Sequence, residues 1–313
     1  MVLSSLHLKP AAPACVPDSP LGAPIPWPDG RHVAANAGQR IFLWDVQTGV
    51  CARTLETRAI HSPPMFHLAS EPGLGRVLEA HELRAFAVWD SGDWQCLQTF
   101  KGHGEPVRAA VFVEEDRVVS ISGDGTAQLW DAWTGESLRL MEFRVPFALA
   151  RDPVTGLVAI SGHRGSVVVL DGPTLEVRAG LHLPMVEARY EKGGAREGGR
   201  PTHGIHALTW HPDGEHLLGG GGDFVARMFH GQTGRVVWEW HGHSDGVVAV
   251  AVCAERGLLC TGSYDGTVRV WSLHSTECLA VHDLGAPDIG GLCLSGGVIY
   301  VTVRNELRVI PLP

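Results

Sequence analysis

The sequence is short of positive charge. It has 25 lysines and arginines against 34 aspartates and glutamates, which gives a net charge of −9 at pH 7. Only three residues are lysines, namely Lys9, Lys101 and Lys192. A nucleic-acid-binding surface usually needs clustered basic residues. The charge balance therefore argues against nucleic acid as the partner.

Long apolar segments are also missing. No stretch of about 18 residues is apolar and free of charges, so we expect no membrane span. The N-terminal stretch MVLSSLHLKPAAPACVPDSP has neither a basic start nor a continuous apolar core, so a signal peptide is not expected.

Cysteine is sparse, and its pattern excludes a regular disulfide framework. There are seven cysteines, an odd number, and no CxxC pair. Three of them each follow an aligned tryptophan by seven residues, which is typical of a small packing position in a repeat: Cys51, Cys96 and Cys278. We therefore expect reduced thiols and a cytoplasmic protein.

Signatures of catalysis and of cofactor binding are absent as well. There is no Walker motif, no GxSxG and no HExxH. The stretch GGGGDF, Gly219 to Phe224, would need a following helix to bind phosphate, and we interpret it as a turn. Histidines cluster without the paired spacing of a zinc site: His203, His206, His211, His216, His230, His241 and His243. We expect no catalytic residue, no cofactor and no metal.

What the sequence does contain is a repeat. The segments IFLWD, AFAVWD, TAQLWD and TVRVWS align on a tryptophan, and SVVVLD, VARMFH and ELRVIP are weaker copies. The aligned positions are Trp44, Trp89, Trp130, Leu170, Phe229, Trp271 and Ile310. The steps between them are 45, 41, 40, 59, 42 and 39 residues. The long step contains a charged, glycine-rich segment, Pro184 to His203, and without it the period is about 40 throughout.

Other features keep the same phase. A Thr-Gly turn follows the aromatic position in DVQTG, DAWTG and HGQTG, and Gly-His recurs at 102–103 and 242–243. Each unit therefore holds four short strands separated by Gly, Asp and Pro. A unit of this size cannot bury both faces of its sheet alone, but units stacked around an axis bury each other.

These motifs resemble those of the WD-repeat family over nearly the whole chain. The resemblance implies an all-β fold, a seven-bladed WD-repeat β-propeller. The seventh unit lacks an outer strand, and the alternating segment Val2 to Leu8 is predicted to supply it and so close the ring. We expect residues 1–313 to form a single domain, with residues 184–203 as a loop insertion between blades four and five.

The resemblance also implies a buried hydrogen-bond chain from His through Ser/Thr to Trp, with Asp on the other side of the His. Two copies are complete: His103, Ser120, Asp124 and Trp130, and His243, Thr261, Asp265 and Trp271. Gly125 and Gly266 should adopt φ > 0 in the tight turns beside the Asp residues. On paper the set resembles a hydrolase triad. However, it occurs twice in phase with the repeat and ends on a tryptophan, so we interpret it as structural.

Other units depart from this pattern. Gly38, Leu83 and Arg164 take the position of the Asp, and Gly219 takes that of the hydroxyl beside Asp223. We expect these blades to rely on apolar packing.

The main functional hypothesis is a non-catalytic scaffold that presents one loop-lined face to a protein or peptide, since function on such a fold lies in its loops. The candidate partner-binding residues are Tyr264, Arg164, His163, Arg189, Tyr190 and Arg196. Tyr264 is expected to be exposed at the rim of that face. The 184–203 segment is either a binding loop or a tolerated insertion.

An alternative is a propeller enzyme, of hydrolase or lyase type, with its site at the mouth of the central channel. The innermost strands VRAAVF, FALARD, IHALTW and VVAVAV are mostly small and apolar and offer no converging carboxylates, which favours the scaffold. We expect a monomer that binds neither nucleic acid nor membrane.

Overall fold

The computed structural model describes residues 6–7, 17, 19–57, 68–81, 84–183 and 204–313. These residues form seven four-stranded antiparallel sheets. The all-β, seven-bladed propeller predicted from the repeat is confirmed. None of the helices within the described ranges is long and apolar enough to cross a membrane.

The strands follow one another from the innermost to the outermost in each blade. Blade one consists of β2 (Ile25–Pro26), β3 (His32–Ala37), β4 (Arg40–Asp45) and β5 (Cys51–Glu56). Blade two consists of β6 (Leu68–Glu71), β7 (Arg76–His81), β8 (Ala85–Asp90) and β9 (Cys96–Lys101). Blade three consists of β10 (Val107–Glu114), β11 (Arg117–Ser122), β12 (Thr126–Asp131) and β13 (Ser137–Glu142). Single 3-10 turns occur at Pro72–Leu74 and Ala254–Arg256.

The remaining blades repeat this order. Blade four consists of β14 (Ala148–Arg151), β15 (Leu157–Ser161), β16 (Ser166–Asp171) and β17 (Val177–His182). Blade five consists of β18 (Ile205–Trp210), β19 (His216–Gly221), β20 (Ala226–His230) and β21 (Val236–Trp240). Blade six consists of β22 (Val247–Cys253), β23 (Leu258–Ser263), β24 (Thr267–Ser272) and β25 (Cys278–Asp283). Blade seven consists of β26 (Ile289–Ser295), β27 (Val298–Val303), β28 (Glu306–Pro311) and β1 (Leu6–His7).

The ring closes through a strand from the start of the chain. β1 pairs antiparallel with β28, with Leu6 opposite Val309 and His7 opposite Arg308. The closure predicted for Val2 to Leu8 is confirmed at these two residues, and the rest of that segment lies outside the described residues. Pairing both ends of the chain in one sheet covers the outward edge of β28, which would otherwise be open to aggregation.

The hydrophobic core lies between neighbouring blades. The aligned position on the third strand of each unit is buried, as in Trp130, Leu170, Phe229, Trp271 and Ile310. One apolar cluster joins blades three and four, another joins six and seven, and a third joins seven and one. Because each sheet is covered on both sides, its strands carry nearly continuous apolar runs.

The ring has two faces, which we name after their sequence signatures. The Gly-His face carries the loops that lead into the innermost strands and the turns between second and third strands. The Thr-Gly face carries the turns between first and second strands and between third and fourth strands.

Side-chain hydrogen bonds tie neighbouring blades together on the Thr-Gly face. The third residue of an outer strand donates to a backbone carbonyl in the next blade's Thr-Gly turn region in three successive blades. These bonds run from Arg53 to Gly92 (3.1 Å), from Gln98 to Trp133 (2.7 Å) and from Arg139 to Thr174 (2.6 Å). The arginines on this face are thus largely engaged with the protein itself.

The expectation of reduced thiols was wrong at one position. Cys96, Cys253, Cys260, Cys278 and Cys293 are free, but Cys51 is disulfide-bonded, and its partner lies outside the described residues. The repeat correctly placed Cys51 opposite Trp44 in the sheet. A disulfide joins residues that are distant in sequence, so a repeat period carries no information about it.

Candidate functional site

Blade six contains the four-residue hydrogen-bond chain that the motif implied. The Trp271 indole donates to Thr261 Oγ1 at 2.8 Å, and that hydroxyl lies 2.7 Å from His243 Nε2. The other ring nitrogen, Nδ1, lies 2.8 Å from Asp265 Oδ2. Since a carboxylate only accepts and an indole only donates, Nδ1 carries the proton and Nε2 accepts from the hydroxyl.

Blade three has the same arrangement. The Trp130 indole donates to Ser120 Oγ at 2.8 Å, and Ser120 Oγ lies 2.7 Å from His103 Nε2. His103 Nδ1 lies 3.2 Å from Asp124 Oδ2. Gly125 and Gly266, at φ 80° and 83°, confirm the left-handed turns predicted beside the two Asp residues.

Sequence reasoning missed two further pairs of residues in these chains. Thr126 and Thr267 donate through their hydroxyls to Asp124 and Asp265 at 2.7 and 2.6 Å. Ser122 and Ser263 accept from the backbone N–H of the same aspartates. The signal was present in the sequence, since Ser-x-Asp-Gly-Thr occurs in both blades.

The two aspartates are charged and strongly hydrogen-bonded. Burial acts to raise the pKa of Asp265, but bonds from His243, from Thr267 and from the Ser244 backbone together hold it below its usual range. Burial lowers the pKa of His103, and the charge of Asp124 opposes this effect. A neutral imidazole and an ionised carboxylate fit a fixed structural link in which no proton has to move.

Blade five does not rely on apolar packing alone, contrary to expectation. The Arg227 guanidinium lies 2.7 Å from Asp223 and 2.7 Å from Glu239, and the side chains of Arg227 and Asp223 are 4% and 1% exposed. Arg227 pairs with Gly219 in register. The buried polar group of blade five is therefore a guanidinium between two carboxylates, in contrast to the hydroxyl and imidazole of blade six.

Blade two also departs from the apolar expectation. Glu79 is buried, with 1% exposure, and stands where blade three has Ser120. Burial raises the pKa of Glu79 to about 7, and contacts with the Thr57 hydroxyl and the Trp89 indole act in the opposite direction. Leu83, which takes the position of the Asp in this blade, lies outside the described residues.

The central channel is less apolar than the inner-strand sequences indicated. Arg151 of β14 and Glu71 of β6 form an ion pair of 2.9 Å between blades four and two. They line a cavity of about 340 Å³ together with Ser70 and Thr209. Ser70 donates to the Pro26 carbonyl, and the described lining residues include neither histidine nor cysteine. The described residues that line this cavity thus include an ion pair that joins two blades.

His163 and Arg164, two of the candidate binding residues, lie in a turn on the Gly-His face of blade four. Arg164 is exposed at φ 56°, and His163 is partly buried with its ring 6.2 Å from that of Phe147. Phe147 also lies 5.1 Å from the ring of His206 in blade five. On its other side, the Arg108 guanidinium of blade three lies 5.7 Å from the Phe147 ring.

Three blades therefore contribute to one group at the rim of the channel. We call Arg108, Phe147, His163 and His206 the rim cluster. Sequence reasoning missed Arg108 and Phe147. Their only signal is position, since each stands at the start of an innermost strand.

Tyr264 does not lie at an open rim. It is partly buried, and its backbone N–H donates to the Gly246 carbonyl at 3.0 Å. It belongs to blade six, and blade five separates it from Arg164 of blade four. Its ring lies beside Gly246, which precedes the innermost strand of the same blade.

The remaining candidates, Arg189, Tyr190 and Arg196, lie outside the described residues, as does the whole 184–203 segment. Of the histidine-rich stretch, His211 and His216 each place Nδ1 2.8 Å from Asp213 in a turn of the Thr-Gly face. In the described ranges no group of three or more His, Cys, Asp or Glu side chains could hold a metal ion.

Comparison with known proteins agrees with this architecture. The family model described as WD domain, G-beta repeat (WD40) matches residues 94–131, 198–230 and 234–272. Two of these segments, 94–131 and 234–272, contain the two complete hydrogen-bond chains. The chain is a WD-repeat β-propeller protein.

Several curated proteins are similar to parts of the chain. Human striatin-4 is 28% identical over 184 residues, which is 57% of this chain and 23% of striatin-4. The rat serine-threonine kinase receptor-associated protein is 22% identical over 170 residues, which is 54% of this chain and 43% of that protein. Protein ROOT INITIATION DEFECTIVE 3 of Arabidopsis thaliana is 37% identical over 73 residues, 23% of this chain and 17% of that protein. The matches thus span less than half of each relative.

Proposed function

We propose that this protein is a non-catalytic interaction scaffold that presents its Gly-His face to a protein or peptide partner. The observation that carries the proposal is the rim cluster, in which three blades bring aromatic and cationic side chains together on a rigid ring. Partly exposed aromatic and arginine side chains are enriched among residues that dominate protein interfaces. The name of the receptor-associated relative also states an association with another protein.

The residues of the 184–203 segment belong to the same proposal. Because the segment links the outer strand of blade four to the inner strand of blade five, both of its ends join the Gly-His face. We propose that Arg189, Tyr190 and Arg196 add contacts to the partner, with a smaller contribution from Tyr264.

The test is affinity capture with quantitative mass spectrometry. Three forms of the purified protein are compared: the unchanged chain, a variant with 186–201 replaced by a short Gly-Ser linker, and Arg164→Glu. Trp133→Ala serves as the matched control, since Trp133 is 54% exposed on the Thr-Gly face. Loss of the same captured proteins in both Gly-His-face variants, with full capture by Trp133→Ala, supports the proposal. The reverse pattern moves the binding surface to the Thr-Gly face.

The enzyme alternative rests on the channel. The Glu71–Arg151 pair is the feature that favours it, but the 2.9 Å ion pair already engages the carboxylate that would have to act on a substrate. Incubation with hydrolase and lyase substrate panels, with and without divalent metal, tests it. Turnover that is abolished by Glu71→Gln would replace the scaffold proposal.

We further propose a monomer in the cytoplasm that binds neither nucleic acid nor membrane. The net charge of −9 and the five free cysteines support this setting, whereas the disulfide at Cys51 counts against a reducing compartment. Light scattering after size exclusion and cell fractionation test the two parts separately.

A further inference from the structure

The rim cluster contains a cation without a balancing anion. Arg108 is partly buried, and its Nη1 donates to the Pro146 carbonyl at 3.0 Å. The ion pairs formed among the described residues include none with Arg108, Arg144 or Arg164. A guanidinium has five N–H donors in a planar fork, so most of those of Arg108 remain available.

The surroundings of Arg108 hold its guanidinium in place. Phe147 lies 5.7 Å from it, within the range of a cation–π contact, and the Pro146 carbonyl fixes one end of the fork. Burial lowers the pKa of Arg108, which means that the cation has lost part of its hydration without gaining a carboxylate. An incoming carboxylate would restore that interaction with two charge-assisted hydrogen bonds.

Two exposed arginines lie near this group in the sequence. Arg144 is two residues before Pro146, and Arg164 is next to His163. Exposed Glu105 lies three residues before Arg108 and exposed Glu142 two residues before Arg144, so the surrounding face carries charges of both signs. Arg108 is the cation of this group that is partly buried without a carboxylate partner.

A chemically similar group on the Thr-Gly face has different surroundings. The Arg76 guanidinium lies 4.1 Å from the Trp133 ring, and its Nη1 donates to the Glu115 carbonyl at 3.0 Å. The acidic residues Glu114, Glu115 and Asp116 occupy the turn that it contacts. Backbone hydrogen bonds from Asp93 and Gly92 lower the pKa of Asp90, and the charge of Arg76 adds to this effect. Arg76, which also forms no ion pair among the described residues, therefore stands beside several carboxylates.

We propose that the rim cluster binds an acidic peptide segment of the partner, with one Asp or Glu carboxylate on the fork of Arg108 and further acidic residues beside Arg144 and Arg164. This assignment rests on the proposed scaffold function and adds the chemistry of its partner. Phe147 supplies the apolar floor, and His163 and His206 line the sides.

The test uses fluorescence anisotropy with a labelled hexaglutamate peptide, and with hexalysine, Gly-Ser and phosphoserine peptides as comparisons. We expect the hexaglutamate peptide to bind with an affinity that falls as salt is added. Arg108→Ala should weaken binding by at least about tenfold, because it removes the central charged contact. Arg164→Glu should weaken it several-fold, and Glu105→Gln should strengthen it.

Arg76→Ala is the matched control, since it removes an arginine of the same kind from the Thr-Gly face, and it should leave the affinity unchanged. Melting curves show whether Arg108→Ala is folded. If it is not, the exposed variants Arg144→Glu and Arg164→Glu decide the question.

Three results would overturn the assignment. They are equal binding of hexalysine, no loss of affinity in the Arg108 and Arg164 variants, and binding of the phosphoserine peptide without binding of hexaglutamate. If the protein does not bind hexaglutamate but Arg164→Glu loses the captured partners, only the acidic-peptide assignment is rejected. If it binds hexaglutamate through Arg108 yet the Gly-His-face variants keep every partner, the scaffold proposal is rejected instead.

Discussion

Blades three and six differ from blades two and five in what they bury at equivalent positions. The first pair uses a neutral imidazole, a hydroxyl and an indole joined to an ionised Asp. Blade five uses an arginine between two carboxylates, and blade two uses a single glutamate beside Thr57 and Trp89. The four-stranded sheet is the same in all of them. The shape of the blade therefore does not require one particular set of buried polar groups.

The two pairs of blades differ in where their polar side chains carry charge. In blades three and six each donor meets an acceptor, and the only full charge lies near the surface of the Gly-His face. In blade five an ion pair is nearly inaccessible to water, which makes it costly to break from one side. In blade two the acid itself changes protonation state near neutral pH.

We expect the largest effect on stability when Trp271, the aromatic end of the hydrogen-bond chain in blade six, is removed. Trp271 is 1% exposed, so Trp271→Ala should lower the free energy of unfolding by about 3–5 kcal/mol through the cavity it leaves. It also leaves the Thr261 hydroxyl without its indole partner. Trp133→Ala, at a side chain that is 54% exposed, should cost less than about 1 kcal/mol. Equal denaturation midpoints for the two variants would contradict the assignment of the repeat phase.

Arg227→Ala tests the buried ion pair of blade five and should lower the free energy of unfolding by a similar amount. Arg227 bridges Asp223 and Glu239, and removing one partner of a buried ion pair costs about 3–5 kcal/mol. Arg178→Ala is the control, because its ion pair with Asp171 is exposed to solvent and contributes little to stability. Urea denaturation of both variants measures the difference. A small loss in Arg227→Ala would mean that water enters blade five and that the two types of blade are less distinct.

Blade two should make stability depend on pH. The pKa of Glu79 is about 7 in the folded protein against 4.5 for an ordinary glutamate, so the folded state holds a proton that the unfolded chain releases. The free energy of unfolding should therefore fall from about pH 4.5 to about pH 7, by roughly 3 kcal/mol in total. Glu79→Gln should lack this decrease, whereas Glu277→Gln, at an exposed position, should retain it. Parallel unfolding curves of Glu79→Gln and the unchanged chain between pH 5 and pH 8 would rule out the titration.

The smallest expected effect concerns the threonine that sequence reasoning missed. Thr267→Val removes the hydroxyl that donates to Asp265 and keeps the backbone bond, so it should cost about 1–2 kcal/mol. Thr267→Ser should recover most of the loss, and Thr276→Val, at an exposed position, should have little effect. Chemical denaturation resolves these differences. An equal loss in the serine and valine variants would assign the effect to packing instead of the hydrogen bond.

The position of each blade could be predicted because the repeat is a local property of the chain. An aromatic or apolar residue every 40 residues or so, with turns between alternating strands, specifies where each sheet begins and ends. The paired occurrence of Asp-Gly-Thr with a preceding Gly-His was enough to identify the hydrogen-bonded residues of blades three and six. The two glycines at positive φ followed from the tight turn that they form.

The substituted blades could not be predicted in the same way. Position by position, Gly219 and Arg227 look like losses of the pattern, and only the structure shows that the Arg227 side chain is buried between Asp223 and Glu239. Glu79 has the sequence position of a hydroxyl, but its burial depends on strands from both sides of blade two. Tyr264 was expected to be exposed because a turn residue usually is, yet it lies beside Gly246 in the folded protein.

The sequence by itself determined the number of blades, the closure by the N-terminal strand and the two structural hydrogen-bond chains, because each follows from the order of residues along a regular repeat. Only the tertiary structure decided the contents of the channel and of the rim cluster. Arg151 and Glu71 are 80 residues apart in sequence, and Arg108, Phe147 and His206 come from three different blades. Such contacts form because the curvature of the ring brings the inner strands of separate blades around one axis. The repeat period specifies the curvature of the ring as a whole. It does not specify which side chains of the separate blades meet at the centre.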